Sequence, residues 1–386
     1  MGRAMRNRFV AAALLLTAAL GASGAGAEAL PRTVTIGLVG PMSGLSGSTG
    51  LALERAAQIA IDDVNETRPV IGGEPVVFKL LAQDDRADQR TGELIAEYFV
   101  KSGVAAVVGH WNSGVSIPAS KIYAAAGIAQ VSPATTAPAY TQQGFNTAFR
   151  IVPHDGDGAR HTAEYVMGVM KAKSIVVIDD RTVFGAAYAA EFEKSIKALH
   201  GNIAARYTVS SKTSDFNGIL RSARSHNPDI IFFAGIDAQA AQLAKDIQRL
   251  QLHAPLVGIG GLVGPTFLQL AGQAGEGTVV LEPGLPSYKG PQWTRFEAAW
   301  KTRYRDEIYL YAPFAYDAVR IIVAAMREAN SVDRAKLPAA LHKIRYRGIT
   351  GNIGFDKDGN LREPMFTLYE VKSGRWRVLR IIGDNG

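Results

Sequence analysis

TVTIGLVGPMSGLSGSTGLALERAAQIAIDDVN, residues 33–65, holds one complete unit of the fold. Val34, Ile36, Leu38 and Val39 make an apolar run too short for a helix and suited to a buried strand. A Gly/Ser-rich turn from Gly40 to Gly50 follows. Leu53, Ala56, Ala57, Ala60, Ile61 and Val64 then fall at the spacing of one helix face, which assigns Glu54, Arg55, Gln58, Asp62 and Asp63 to the solvent side.

The same strand-then-helix unit recurs along the chain. Val76 to Leu81 precedes a helix around Leu94, Ile95, Tyr98 and Phe99; Val104 to Val108 precedes a helix from Ile117 to Ala126; and Ile128 to Val131 is the next strand. After Arg150 a helix from Asp157 to Met170 opens a second series. It runs through strand Ser174 to Ile178, helix Gly185 to Leu199, strand Ile203 to Val209, helix Phe216 to Ser225, strand Asp229 to Phe233, helix Ala238 to Leu250 and strand Leu256 to Ile259. Strands that are almost continuously Val, Ile, Ala and Phe imply parallel sheets covered on both faces. Near the end, Arg362 to Lys372 and Arg375 to Ile381 flank Ser373-Gly374, a hairpin signal. The expectation is an α/β protein of two doubly wound parallel-sheet lobes with a late helical and hairpin addition, and a ligand crevice at the strand ends.

The 386 residues suffice for two compact domains, and 20% charged with 47% hydrophobic residues excludes wholesale disorder. Residues 1–27 read as a signal peptide: Arg3, Arg6 and Arg8, an apolar stretch from Phe9 to Leu20 broken only by Thr17, and small residues ending Ala25-Gly26-Ala27. Twelve residues are too few to cross about 30 Å of hydrocarbon. Cleavage after Ala27 leaves 359 residues and lowers the formal charge from +7 to +4. That surplus, without a Lys/Arg run, argues against a nucleic-acid partner. The absence of cysteine excludes disulfides, thiolate catalysis and Cys-ligated zinc.

Catalytic signatures are missing. There is no G-x-S-x-G, H-E-x-x-H or P-loop motif, and Gly258-Ile259-Gly260-Gly261-Leu262-Val263-Gly264 misses dinucleotide spacing by one residue, so it reads as a tight turn. His154 and His161 read as a helix face rather than a metal site, and no metal or cofactor is expected. Two strand ends carry the binding chemistry. Val107 to Gly114 runs from a strand into a helix whose first turn contains Pro118, where Ser113 is either an anion-binding hydroxyl or an ordinary N-cap. Val131-Ser132-Pro133-Ala134-Thr135-Thr136-Ala137-Pro138 is a second hydroxyl-rich turn, and the pair makes a carboxylate clamp.

These residues resemble the periplasmic leucine/isoleucine/valine-binding proteins of ABC transporters, the type I periplasmic binding fold. The resemblance rests on Ile36-Gly37-Leu38-Val39-Gly40-Pro41-Met42-Ser43-Gly44, Asp84-Asp85, Gly109-His110 followed by Pro118-Ala119-Ser120, Ser132 to Thr136, Phe149-Arg150, Phe184-Gly185 and Asp356 to Gly359, and it covers nearly all of the mature chain. It implies two lobes joined by three crossovers, 28–153 with 284–363 and 154–283 with 364–386, closing over an amino acid. It further implies that Ser113 and Thr136 hold the ligand carboxylate beside Thr135, that the Ala134 carbonyl receives the ammonium, that Trp111 and Asn112 line the pocket, and that Phe184 covers the ligand.

The chain departs from the family at several of these positions. The family's disulfide cysteines match Ala87 and Asn112, aromatic pocket residues match Thr49 and Ile236, and the acid that pairs with the ligand ammonium matches Gly260. Another acid must compensate, Asp155 or Asp237, either of which equally reads as a helix cap; or the ligand lacks the amine. The expected function is a monomeric periplasmic receptor, not an enzyme, that captures a branched-chain or related aliphatic amino acid and delivers it to the permease subunits of an ABC transporter. The alternatives are a receptor for an aromatic or keto carboxylate, a ligand-sensing subunit of the same fold and, third, a secreted hydrolase.

Overall fold

The computed structural model describes residues 30–286 and 290–383, so the leader expected over 1–27 lies outside the described residues. The first series runs β1 (Arg32–Gly40), α1 (Gly47–Glu66), β2 (Val70–Ile71), β3 (Glu74–Asp84), α2 (Gln89–Lys101), β4 (Ala106–Val108), α3 (Ser113–Ala125), β5 (Ala129–Ser132) and β6 (Ala148–Arg150). Its strands pair in the order β2-β3-β1-β4-β5-β6, parallel except for β2. The second series runs α4 (Asp155–Gly168), β7 (Ile175–Asp179), α5 (Val183–Ala198), β8 (Ile203–Thr208), α6 (Asn217–Arg224), β9 (Ile230–Ala234), α7 (Asp237–Arg249), β10 (Leu256–Ile259), α8 (Pro265–Ala271) and β11 (Val279–Pro283).

The chain then continues through α9 (Pro291–Arg303), α10 (Ala312–Glu328), α11 (Leu337–Lys343) and the small ladder β12 (Tyr346–Gly348) and β13 (Gly351–Ile353), and ends with β14 (Phe366–Lys372) and β15 (Arg375–Ile382). Among the described residues the second sheet has the order β15-β14-β11-β10-β9-β7-β8. Its hairpin β14–β15 pairs antiparallel with β11, so an otherwise parallel sheet gains a mixed edge. The third crossover claims Arg362 to Met365, which the hydrophobic pattern had joined to the hairpin.

The late helices complete the first lobe. One apolar core unites residues of β1, α1 and β3 to β5 with Phe296, Trp300 and most of α10. The helix face Leu53, Ala56, Ala57, Ala60, Ile61 and Val64 is buried as its spacing requires. Asp63, expected in solvent, is buried instead: its carboxylate accepts from the Tyr316 hydroxyl at 2.6 Å and pairs with Arg295 Nε at 2.9 Å, both brought by α9 and α10.

Three crossovers join the lobes and are laced together. Arg150 N–H donates to the Gly359 carbonyl at 3.0 Å, Gly284 N–H to Met365 at 2.8 Å, and the Thr141 hydroxyl to Asn360 Oδ1 at 2.8 Å. Phe149 packs on His342 and Phe355 with ring centroids 4.7 and 4.9 Å apart.

Candidate functional site

The carboxyl ends of eight parallel strands converge on a cleft of about 700 Å³, within the range of small-molecule sites. β1 supplies Ser43 and Ser46, β3 Arg86 and Ala87, β4 Trp111 to Val115, and β5 Ala134 and Thr136. From the other lobe β7 supplies Asp180 to Phe184, β8 Ser210 to Lys212, β9 Ile236 and β10 Gly260; Tyr311, at the N-cap of α10, joins them. The lobes meet where α3 and α5 begin: Val183 Cγ2 lies 3.2 Å from where a Cβ on Gly114 would stand.

Ser113 is the first residue of α3 and only 3% exposed, and Asn112 occupies the N-cap without a side-chain cap bond. The capping alternative for Ser113 therefore falls. Its hydroxyl accepts a long bond from Ala137 N–H, 3.4 Å, that ties the helix start to the Ser132 to Ala137 turn. Pro118 stands at the sixth position of α3, in the second turn rather than the first.

The Ser132 to Ala137 turn is held from inside. Ser132 Oγ donates to the His110 carbonyl at 3.0 Å and accepts from Thr135 N–H at 2.8 Å. Thr135, fully buried, bonds Ser116 and the His110 carbonyl through its hydroxyl, so it belongs to this scaffold and does not line the cleft. Arg150, also fully buried, donates to the carbonyls of Thr135 and Ala137, each at 2.9 Å, and to the Thr141 hydroxyl at 3.0 Å. Burial lowers its pKa to about 10. The adjoining turn is fixed by Asp85, whose carboxylate accepts from Ala87 N–H at 3.0 Å and bonds His110 Nδ1 at 2.8 Å; Tyr123 takes the other ring nitrogen.

Neither candidate acid lines the cleft. Asp155 is the first residue of α4, with His154 as the N-cap. Its backbone N–H donates to the Thr136 carbonyl at 2.9 Å, which sets it directly behind the Ser132 to Ala137 turn. The side chain is 1% exposed, and neither carboxylate oxygen has a well-formed hydrogen bond. Burial pushes its pKa up to about 7, with the nearby Thr136 hydroxyl and Arg150 pulling the other way. Asp237, the first residue of α7, spends an oxygen on Ala238 N–H at 2.8 Å. Thr49 is buried on α1, off the cleft wall.

Gly260 lines the cleft, and the structure shows what stands behind it. The Tyr311 hydroxyl lies 3.0 Å, and Glu282 Oε2 3.7 Å, from the position a Cβ there would take. Glu282, on β11 and fully buried, accepts the N–H groups of Gly261, Leu262 and Val263 at 2.8–2.9 Å. Burial raises its carboxyl to about 7 against those three donors. The glycine-rich turn is thus wrapped around a carboxylate. Sequence reasoning missed Glu282 and Tyr311; the signal was an acid inside the apolar run Val279-Val280-Leu281-Glu282.

Trp111, Asn112, Ser113, Ala134, Thr136, Phe184, Ile236 and Gly260 are brought together in the cleft, and Thr49, Thr135, Asp155 and Asp237 stand outside its lining. Trp111 meets Tyr311 edge-on at 6.5 Å, and Phe184 meets Tyr188 edge-on at 6.2 Å, so an aromatic surface rises from each lobe. No group of His, Asp and Glu among the described residues is arranged to hold a metal ion, and no described helix is long and apolar enough to cross a membrane.

This geometry has relatives. A Leu/Ile/Val-binding protein homolog of Brucella suis is 28% identical over 345 residues, 88% of this chain and 91% of that protein. A leucine-binding protein from Thermotoga maritima is similar in structure with a TM-score of 0.82 and 25% identity, over 90% of this chain and 98% of that one. A substrate-binding protein of an ABC transporter from Desulfitobacterium hafniense, in complex with leucine, gives 0.76 and 26%, over 90% of this chain and all of that one. The family profile described as periplasmic binding protein matches residues 33–375, and the chain belongs to that family.

Proposed function

We propose that this protein is the solute receptor of an ABC transporter, exported by the signal segment 1–27 and acting as a monomer that hands a small carboxylate ligand to the membrane permease. Its two lobes, 28–153 with 284–363 and 154–283 with 364–386, close over the ligand about the three crossovers. The Ser113 hydroxyl and Thr136 receive the carboxylate at the open start of α3, where unpaired N–H groups favour an anion. Trp111 and Phe184 provide apolar walls for an aliphatic side chain.

One observation carries the amino-acid reading: the buried Asp155 carboxylate, without a well-formed partner and one backbone hydrogen bond behind Thr136. A ligand ammonium is the donor it lacks. Leaving a buried charge unpaired costs roughly 3–5 kcal/mol, so this pair discriminates strongly between an amino acid and its deaminated analogue. The names of the relatives, which bind leucine, isoleucine or valine, point the same way.

A thermal-shift titration with leucine, isoleucine, valine and 4-methyl-2-oxopentanoate decides between the readings. A ligand at 100 times its dissociation constant adds about 2.7 kcal/mol to stability. Stabilisation by the three amino acids and none by the keto acid is expected. The reverse order supports the second reading, a keto or aromatic carboxylate, which is favoured by one feature: the cleft wall carries Arg86, Arg181 and Lys212 against the single acid Asp180. Stabilisation by neither class overturns the reading of the cleft as a site for aliphatic monocarboxylates.

A further inference from the structure

Two turns on opposite walls of the cleft repeat the same three residues. Asp84-Asp85-Arg86 closes β3 and Asp179-Asp180-Arg181 closes β7. In each, the first aspartate accepts the arginine's N–H, Asp84 from Arg86 at 2.9 Å and Asp179 from Arg181 at 3.0 Å. The second accepts from the residue that follows the arginine, Asp85 from Ala87 at 3.0 Å and Asp180 from Thr182 at 2.9 Å. Both arginines are thereby held in the left-handed backbone region, φ 56° and 59°, which is sterically unfavourable for a residue with a Cβ. The two strands hold different places in their sheets: β7 lies between its two parallel neighbours as β1 does in the first lobe, whereas β3 is a flanking strand. The likeness is therefore not one position repeated in two similar lobes.

Both arginines line the cleft, one from each lobe, and so does Lys212 of the second lobe. All three side chains are exposed. None pairs with a carboxylate among the described residues, while the aspartates of the turns are occupied by other groups: backbone N–H groups, the Thr182 and Thr208 hydroxyls, His110 on Asp85 and the Arg206 guanidinium on Asp179. Closing the lobes draws these cations toward one another, and like charges oppose that motion until an anion stands between them. The ligand carboxylate is already assigned to Ser113 and Thr136, on the ends of β4 and β5.

We propose that Arg86, Arg181 and Lys212 form a second anion subsite, and that the ligand carries a distal carboxylate besides the one received by the Ser113–Thr136 clamp. This rests on the carboxylate-receptor reading and narrows it to dicarboxylates.

Isothermal titration with four probes of one carbon-chain length tests it: L-norleucine, L-2-aminoadipate, hexanoate and adipate. Within at least one of the pairs norleucine/aminoadipate and hexanoate/adipate, the dicarboxylate is expected to bind about tenfold or more tightly than the monocarboxylate at low salt, since charge-assisted pairs of this kind are strong. That ratio is expected to fall toward one in Arg86→Gln/Arg181→Gln and as salt rises. Arg86→Asn/Arg181→Asn provides a second pair of variants, because asparagine tolerates left-handed backbone well. Dicarboxylates that bind no more tightly than their monocarboxylate partners, or a ratio unchanged in both double variants, overturn the subsite. Ser113→Ala separates the two levels: it weakens every bound probe if the clamp is right, and dicarboxylate binding indifferent to it sinks the clamp and the two-point ligand together.

Discussion

Asp155 and Arg150 make opposite demands on the first crossover. In the empty protein the Asp155 carboxyl, raised to about 7 by burial, takes up a proton more readily than in the unfolded chain. Its contribution to stability is complete below about pH 4 and is lost as pH rises through 7. Asp155→Asn should therefore stabilise the empty protein at pH 8 by about 1–3 kcal/mol, with the gain vanishing near pH 4, as urea unfolding at the two pH values would show. The same substitution should weaken an α-amino acid about a hundredfold or more, and wild-type affinity should rise from pH 5 to pH 8 as the carboxylate forms. Affinity flat across that range would remove Asp155 from the ammonium site. Arg150→Met leaves three acceptors without donors and should cost about 3–5 kcal/mol of stability. The place of Ser113 and Thr136 on the cleft wall was legible because a hydroxyl just past a buried strand has few roles besides capping and binding. Whether Asp155 caps its helix depends on His154 taking the N-cap, which no local pattern distinguishes.

Among the elements, β11 and the turn after β10 form one unit. Glu282→Ala strips the acceptor from three backbone N–H groups and should lower stability by about 3 kcal/mol, seen as a reduced urea midpoint. The turn was readable from its glycines, but the strand that fixes it was not, since Glu282-Pro283 interrupts the apolar run at the point where strand reading stops. The starts of α3 and α5 form the second unit. Gly114→Leu places a side chain against Val183 and should cost about 1–3 kcal/mol of binding through overpacking, with affinity restored by adding Val183→Ala. A double variant no better than the single one would show that this contact does not limit closure.

At the scale of the molecule, periodicity revealed both βα series because a buried parallel strand and a one-faced helix leave separate signatures. It did not reveal that α9 and α10 return to the first lobe. That depends on partners more than 200 residues away, such as Asp63 with Arg295 and Tyr316. The laced crossovers predict a hinge motion: the ligand identified by the thermal screen should reduce the radius of gyration in small-angle scattering, and an unchanged radius would mean the lobes do not close. The contact between Asp85 and His110 has a consequence of another kind. It bridges the loops that hold Ala87 and Asn112, which carry no cysteine to join them, so the binding wall is assembled without any oxidant. Folding owes nothing to thiol-exchange catalysts, and a reducing agent should leave both the unfolding midpoint and ligand affinity where they were.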